Sequence, residues 1–93
     1  MKTVSDQVFD ELKAEAIKVW NTYDNTYGYA DEKIDRIKPI KNVKDNWITL
    51  VGMFDIHNQK KLYDNLGPAA QEAMNMYYGE PFLAKYAEYK DLI

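Results

Sequence analysis

The chain has 93 residues, of which 46% are apolar and 29% charged, and its net charge is −3. This length predicts a single domain over residues 1–93, and no apolar run approaches the ~18 residues that a membrane-spanning helix needs. The absence of cysteine excludes disulfides and thiolate chemistry. Acidic residues interrupt the N-terminus where a secretory signal would be apolar, so we expect a cytoplasmic protein without a membrane association.

A first helix is predicted from Asp6 to Tyr23. Wound at 100° per residue, seven apolar side chains of this segment share one arc of about 120°: Val8, Phe9, Leu12, Ala16, Val19, Trp20 and Tyr23. Thr3 and Asp6 have the spacing of a capping pair, which predicts the start of the helix.

The stretch NTYDNTYGY, residues 21–29, follows this helix and has two interpretations. Tyr23 and Tyr27 both continue the apolar arc, and Gly28 suits the left-handed backbone that ends helices. We therefore expect a last helical turn that runs into a loop. The alternative is an exposed aromatic patch made of Tyr27 and Tyr29.

Two further segments precede the C-terminal third. ADEKIDRIKP predicts a short helix, since Ile34 and Ile37 are three apart and Pro39 stops it. In the next segment the residue types favour a strand, but the apolar residues from Val43 to Phe54 recur at helical spacing. A helix is the preferred interpretation, and a small hairpin over residues 38–55 is the alternative.

The C-terminal third predicts three helices separated by Gly-Pro signals. They cover Asn58 to Leu66, Pro68 to Tyr78 and Pro81 to Leu92. The alternative for the first of them is that it continues the preceding helix. The predicted fold is an all-α compact bundle of five or six short helices, with an α+β fold carrying the hairpin as the alternative. Its predicted core is Leu12, Val19, Trp20, Trp47, Leu50, Phe54, Met74 and Phe82.

Candidate residues for catalysis and metal binding are few. His57 is the only histidine, and we expect it to form a hydrogen bond at the edge of the core. Asp31, Glu32 and Asp35 share a helical turn, but acids in a first turn are expected from the helix dipole. We therefore predict a non-enzymatic protein with no catalytic residue, no metal site and no cofactor.

The basic middle of the chain is a candidate for binding anions or nucleic acid. Residues 33–61 contain seven basic side chains and three acidic ones, while both ends of the chain are acidic. Lysines beside aromatics can bind phosphates, so this segment predicts a nucleic-acid- or nucleotide-binding module as the alternative function. The candidate contacts are Lys33, Arg36, Lys38, Lys41 and Lys44.

The tyrosines give the preferred functional hypothesis. Eight tyrosines and two tryptophans exceed what so small a core hides, and tyrosine is common at protein interfaces. The sequence thus predicts an interaction module that acts as a stand-alone regulator or inhibitor, docking on a protein partner or on its own copy as an oligomer. The small size and a composition typical of AT-rich genomes, with eleven lysines and one arginine, suit a phage or mobile-element origin. The predicted interface residues are Tyr27, Tyr29, Tyr78 and Tyr89.

Overall fold

The computed structural model describes residues 3–79 and 81–91, and within these ranges it contains six α-helices and no strand. In chain order they are α1 (Asp6–Trp20), α2 (Tyr29–Ile37), α3 (Trp47–Gly52), α4 (Ile56–Asn65), α5 (Pro68–Tyr78) and α6 (Phe82–Lys90). The predicted all-α bundle is confirmed. The alternative hairpin over residues 38–55 is wrong, because the helical spacing of the apolar residues prevails over their strand propensity.

Both ends of α1 differ from the prediction. The N-cap is Ser5, whose Oγ accepts a hydrogen bond from the Val8 N–H at 3.2 Å, so Thr3 and Asp6 do not form the expected capping pair. At the other end the helix stops at Trp20, three residues before the predicted Tyr23. The register of the helix is as predicted, but its length is not.

The helix around Trp47 is shorter than its apolar pattern suggested. Residues 43–46 form a turn in which Lys44 has a φ of 53°, a left-handed conformation that side chains other than glycine rarely adopt. Val43 therefore lies outside the helix and is 56% exposed. The far end of α3 is held by Gln59, whose Nε2 donates to the carbonyl oxygens of Val51 and Phe54.

Among the described residues one hydrophobic cluster forms the core, and α1 packs against α2, α3, α4 and α5 around it. All eight predicted core residues are buried, with exposed fractions of at most 5%. The ring of Trp20 stacks on that of Phe54 with centroids 4.9 Å apart, which joins α1 to the end of α3. The sequence spacing predicts an inward stripe on the last helix, made of Phe82, Tyr86, Tyr89 and Ile93. Phe82 is fully buried, Tyr86 is half-buried and Tyr89 is 40% exposed, while Ile93 lies outside the described residues.

Two charged side chains of α1 bind the ends of other helices. The Glu11 carboxylate accepts a hydrogen bond at 2.5 Å from the N–H of Gly67, the N-cap of α5. The Lys13 ammonium donates to the carbonyl oxygens of Lys38 and Ile40, at the end of α2. Each charge has the sign that stabilises the helix end it meets.

Asn75 fixes the start of α6 in a similar way. Its Oδ1 accepts a hydrogen bond from the N–H of Phe82, and its Nδ2 donates to the hydroxyl of Tyr63 at 3.3 Å. Three helices, α4, α5 and α6, therefore meet at one amide side chain.

The N-cap of α4 gives a pH-dependent prediction. The Asp55 carboxylate accepts hydrogen bonds from the Asn58 N–H and amide, and the Asn58 backbone bond is the main reason that the pKa of Asp55 is lowered. Replacing Asp55 by alanine should lower the free energy of unfolding by about 0.5–2 kcal/mol at neutral pH.

Because the pKa is lower in the folded state, this contribution is fully present above the unfolded pKa of about 3.9. It is lost as the pH falls through the lower folded value. Urea unfolding of the wild type and Asp55→Ala at neutral and acidic pH measures both effects. Asp45→Ala is the control, since that exposed carboxylate forms no hydrogen bond with the described residues. An equal difference at both pH values would contradict the assignment.

Candidate functional site

Residues 21–28 connect α1 to α2 as an ordered loop, called here the tyrosine loop. The Asp24 carboxylate accepts hydrogen bonds from the N–H and the hydroxyl of Thr26, which closes a local turn and lowers the pKa of Asp24. Asn25 then accepts a hydrogen bond from the N–H of Asp31, at 3.0 Å. The side chain of Asn25 thus caps the start of α2.

Gly28 has the left-handed backbone expected from the sequence, with a φ of 75°. However, it is the N-cap of α2 and not the end of α1. Space is open where a Cβ would lie, so the left-handed φ alone favours glycine here. The predicted last helical turn is present only as far as Tyr23, where the N–H groups of Thr22 and Tyr23 donate to the carbonyl oxygens of Val19 and Trp20. Its continuation to Tyr27 is wrong, because the hydrogen bonds of Asp24 and Asn25 hold the chain in a loop.

Tyr27 lies at the tip of this loop and is 96% exposed. The α1 helix ends before Tyr27, so the side chain is not turned inward as a continued helix would have turned it. Tyr29, at the start of α2, is 51% exposed and packs edge-on against Trp20 at 5.7 Å. The Lys33 ammonium lies 5.0 Å from the centroid of the Tyr29 ring, within cation–π range.

The base of the loop is aromatic. Tyr23 is half-buried against Trp20, with ring centroids 4.4 Å apart, and burial raises the pKa of its phenol, with smaller contributions from Asp55 and Tyr29. The Trp20 indole N–H is buried without a hydrogen-bond partner among the described residues. Tyr27 is therefore carried by a loop whose ends rest on the core.

The other two predicted interface tyrosines lie near the end of α5 and on α6. Tyr78 is half-buried, and its hydroxyl donates to Gln59 Oε1 at 3.0 Å. Burial raises the pKa of Tyr78, as does its neighbour Tyr77. Tyr89 is 40% exposed, with the Lys85 ammonium 5.2 Å from its ring centroid. Tyr78 thus has a structural role, and the contact of all four tyrosines with a partner stays a prediction.

The spacing of four residues in the sequence predicts one inward face of α5, made of Ala70, Ala73, Met74 and Tyr77. Ala70 and Met74 are buried and Ala73 is half-buried, but Tyr77 is 40% exposed and packs edge-on against Trp47 at 5.7 Å. The α5 helix ends directly after this residue pair, so its last turn covers the indole instead of entering the core.

The cations of the basic segment are largely balanced by neighbouring groups. Arg36 pairs with Glu32 at 3.1 Å, and Lys38 approaches Asp35 at 3.8 Å. Lys33 lies over Tyr29, as described above. The loop lysines, Lys41 and Lys44, have neither an ion pair nor an aromatic ring contact with the described residues.

His57, the only histidine of the chain, lies in the first turn of α4. His57 is exposed, and its Nδ1 lies 3.2 Å from the hydroxyl of Tyr86, with the two rings edge-on. Lys60, which pairs with Asp64 at 2.5 Å, lies 5.7 Å from the Tyr86 ring centroid. Within residues 3–79 and 81–91, no group of histidines and carboxylates is arranged to hold a metal ion.

Comparisons with known proteins add no function, since no family model, no curated protein and no solved structure matches the chain. In the part of the chain that the structure describes, no helix has the length and apolar character needed to cross a membrane.

Proposed function

We propose that this protein is a non-enzymatic interaction module that docks the tyrosine loop on a protein partner. By occupying a surface of that partner it would act as a regulator or inhibitor. The observation that carries the proposal is the placement of Tyr27, a large aromatic side chain held 96% exposed on an ordered loop.

An ordered loop makes Tyr27 suitable as an anchor. The bonds of Asp24 and Asn25 fix the backbone on both sides of the loop, and Gly28 supplies the turn into α2. Little backbone freedom remains to be lost on binding, and a tyrosine side chain has only two torsions to order. Burial of the ring in a pocket of the partner would then add apolar contact at low entropic cost.

A neighbouring aromatic and a cation surround this anchor. Tyr29 is half-exposed beside it, and Lys33 lies over the Tyr29 ring. Aromatic anchors with adjacent charged groups are typical of the centre and rim of protein interfaces. The loop and the first turn of α2 therefore suit a protein surface with an apolar pocket.

The exposed face of α2 gives less support to nucleic-acid binding than to docking on a protein. The exposed face of α2 carries Asp31, Glu32 and Asp35 among its cations, and two of these acids pair with Arg36 and Lys38. Acids interspersed at this density repel a phosphate backbone. The two unpaired loop lysines alone do not form an extended basic surface.

Replacing Tyr27 by alanine should weaken partner binding by about 2 kcal/mol or more, a roughly thirtyfold increase in Kd. The free energy of unfolding should change by no more than about 0.5 kcal/mol, because the ring has almost no contacts to lose. A photo-crosslinking amino acid at position 27 would first capture the partner in cells that encode the protein. Calorimetry with the purified partner then measures the affinity.

The matched control is Leu83→Ala, which removes a half-exposed apolar side chain from α6. Its affinity should equal that of the wild type. Unchanged binding of Tyr27→Ala to the captured partner would show that the loop is not the docking site.

A further inference from the structure

The eight tyrosines of the chain differ in how far an enzyme could reach their hydroxyls. Transfer of a phosphoryl group needs the phenol oxygen in line with the phosphorus at close range, so the ring must enter the catalytic cleft of a kinase. Four tyrosines are buried or half-buried: Tyr23, Tyr63, Tyr78 and Tyr86. Three of their hydroxyls also lie 3.0–3.3 Å from a side chain of another helix. These four rings belong to the fold and are not accessible.

Three further tyrosines are partly exposed, but the ring of each has a neighbour on one side. Tyr29, which is 51% exposed, packs edge-on against Trp20. Tyr77 is 40% exposed and packs in the same way against Trp47, while Tyr89, equally exposed, has an ammonium group 5.2 Å from its ring centroid. Each of these rings would have to leave its neighbour before it could enter a cleft.

Tyr27 differs from the other seven tyrosines in being free on all sides. Its side chain is 96% exposed, and within residues 3–79 and 81–91 it forms no hydrogen bond, ring contact or cation contact. The three residues before it, 24–26, are exposed as well, so the ring projects from an open part of the tyrosine loop. The phenol oxygen of Tyr27 is therefore the most accessible of the eight.

The backbone around Tyr27 can be opened without disturbing the core. To enter a cleft as an extended segment, the loop must give up the hydrogen bonds of Asp24 with Thr26 and of Asn25 with Asp31. All of these bonds are exposed to water, and no side chain of residues 24–27 is buried. Local opening of such a segment takes little free energy. The tyrosine loop can thus act as a substrate while α1 and α2 stay folded.

The charges of the loop and of the first turn of α2 have one sign. Residues 21–32 contain three acids and no lysine or arginine. Kinases select their substrates partly by charge pattern, and acids beside the tyrosine suit a cleft that carries cations. The next cation in sequence, Lys33, lies over the ring of Tyr29. A phosphate added to the loop therefore gains no ion pair within it and stays in solvent.

We propose that Tyr27 is a phosphorylation site, modified by a protein tyrosine kinase with ATP as the phosphoryl donor. The Oη atom of Tyr27 attacks the γ-phosphorus, and a new oxygen–phosphorus bond forms while the bond to the bridging oxygen of ADP breaks. The phenolic proton passes to the catalytic aspartate of the kinase. ADP leaves, and nothing is oxidised or reduced.

The phosphate would regulate docking of the tyrosine loop, and this part of the inference rests on the proposed function. A phosphotyrosine carries a charge of about −1.5 to −2 at pH 7. An apolar pocket that accepts the neutral ring rejects this charge, because nothing in the pocket compensates its desolvation. The phosphorylated protein should therefore have a Kd for the partner that is higher by roughly thirtyfold or more.

The site is tested by incubating the full chain with the catalytic domain of a broad-specificity tyrosine kinase, Mg²⁺ and ATP. The intact mass should show one added phosphate per chain. Trypsin cleaves after Lys18 and Lys33, so residues 19–33 form one peptide with three tyrosines, and fragmentation should place the phosphate on Tyr27. Tyr27→Phe should stay unmodified. The matched control Tyr89→Phe, which removes a hydroxyl at another exposed tyrosine, should be modified as the wild type is.

Three results would each overturn the assignment: a phosphate on another tyrosine, equal modification of Tyr27→Phe, or an unmodified wild type. The peptide of residues 19–33 should also carry the phosphate on Tyr27 when the protein is isolated, with phosphatases inhibited, from cells that encode it. An unmodified peptide from these cells would overturn the proposal as well.

Affinity for the partner captured through position 27 separates this inference from the proposed function. Kinase treatment should raise the Kd of the wild type and leave that of Tyr27→Phe at its untreated value. If Tyr27→Ala binds as the wild type does, the proposed function fails, and the mapped phosphate still identifies the site. If Tyr27→Ala binds weakly but the phosphorylated wild type binds as tightly as the unmodified protein, regulation by the phosphate is excluded.

Discussion

Replacing Leu50 by alanine is expected to lower the free energy of unfolding by about 2–5 kcal/mol, the range measured for buried leucines. Leu50 is fully buried in α3 and belongs to the single core cluster. The substitution removes apolar contact and leaves a cavity that the short helix, fixed at both ends, can fill only in part. For a domain of this size the melting temperature should fall by about 4–8 °C for each kcal/mol.

Chemical denaturation followed by circular dichroism measures the effect. The control is Val43→Ala, which removes a branched apolar side chain four residues before the helix and 56% exposed. It should change the free energy of unfolding by no more than about 0.5 kcal/mol. A loss at Leu50 as small as that at Val43 would mean that the core does not form around α3 as described.

The second large effect is expected for Glu11→Ala, which should lower the free energy of unfolding by about 1–3 kcal/mol. The Glu11 carboxylate is the hydrogen-bond acceptor for the Gly67 N–H, at a half-buried position where water would replace it only in part. Its negative charge also lies at the positive end of the α5 dipole. Removing it therefore loses a hydrogen bond and an electrostatic contribution together.

Asp10→Ala is the matched control, because it removes an exposed carboxylate from the neighbouring position of α1. Urea denaturation of both variants should show the loss only at Glu11. Hydrogen exchange adds a local readout: amides in the first turn of α5 should exchange faster in Glu11→Ala than in Asp10→Ala. Equal stabilities would contradict the assigned role of the Glu11 carboxylate.

Periodicity was sufficient to predict the helical class and the core. In α1, the spacing of Leu12, Val19 and Trp20 follows the 3.6-residue repeat, and all three are buried. The α5 bounds, Pro68–Tyr78, agree with the prediction because Gly and Pro mark both ends. Such local signals need no knowledge of the tertiary structure.

Side-chain hydrogen bonds in loops were not recognised from the apolar pattern. In the sequence, the apolar arc of α1 continues to Tyr27. In the structure, the side chains of Asp24 and Asn25 accept hydrogen bonds from backbone N–H groups, and the chain leaves the helix before Tyr27. Both residue types favour such turns, so a signal was present in the sequence. The conformation of Lys44 had no comparable signal, since lysine seldom adopts a positive φ.

Contacts between helices that are distant in sequence could not be predicted, for a different reason. Glu11 and Gly67 are 56 positions apart, and Asn42 binds a carbonyl 38 positions away. Nothing in the spacing of apolar residues specifies which polar side chain reaches which helix end. The candidate site depends instead on local hydrogen bonds, because the exposure of Tyr27 follows from its neighbours Asp24 and Asn25 and not from its own residue type.

The two charged side chains of α1 have a consequence for how sequence changes in this helix should be judged. Glu11 and Lys13 lie near the solvent side of α1, where substitutions are usually tolerated. Yet Glu11 accepts a hydrogen bond at the beginning of α5, and Lys13 donates one at the end of α2. An exchange of the two residues would preserve net charge, composition and the apolar pattern of α1, while placing a repulsive charge at both helix ends. The tolerance of α1 to variation is therefore set by helices that lie elsewhere in the chain.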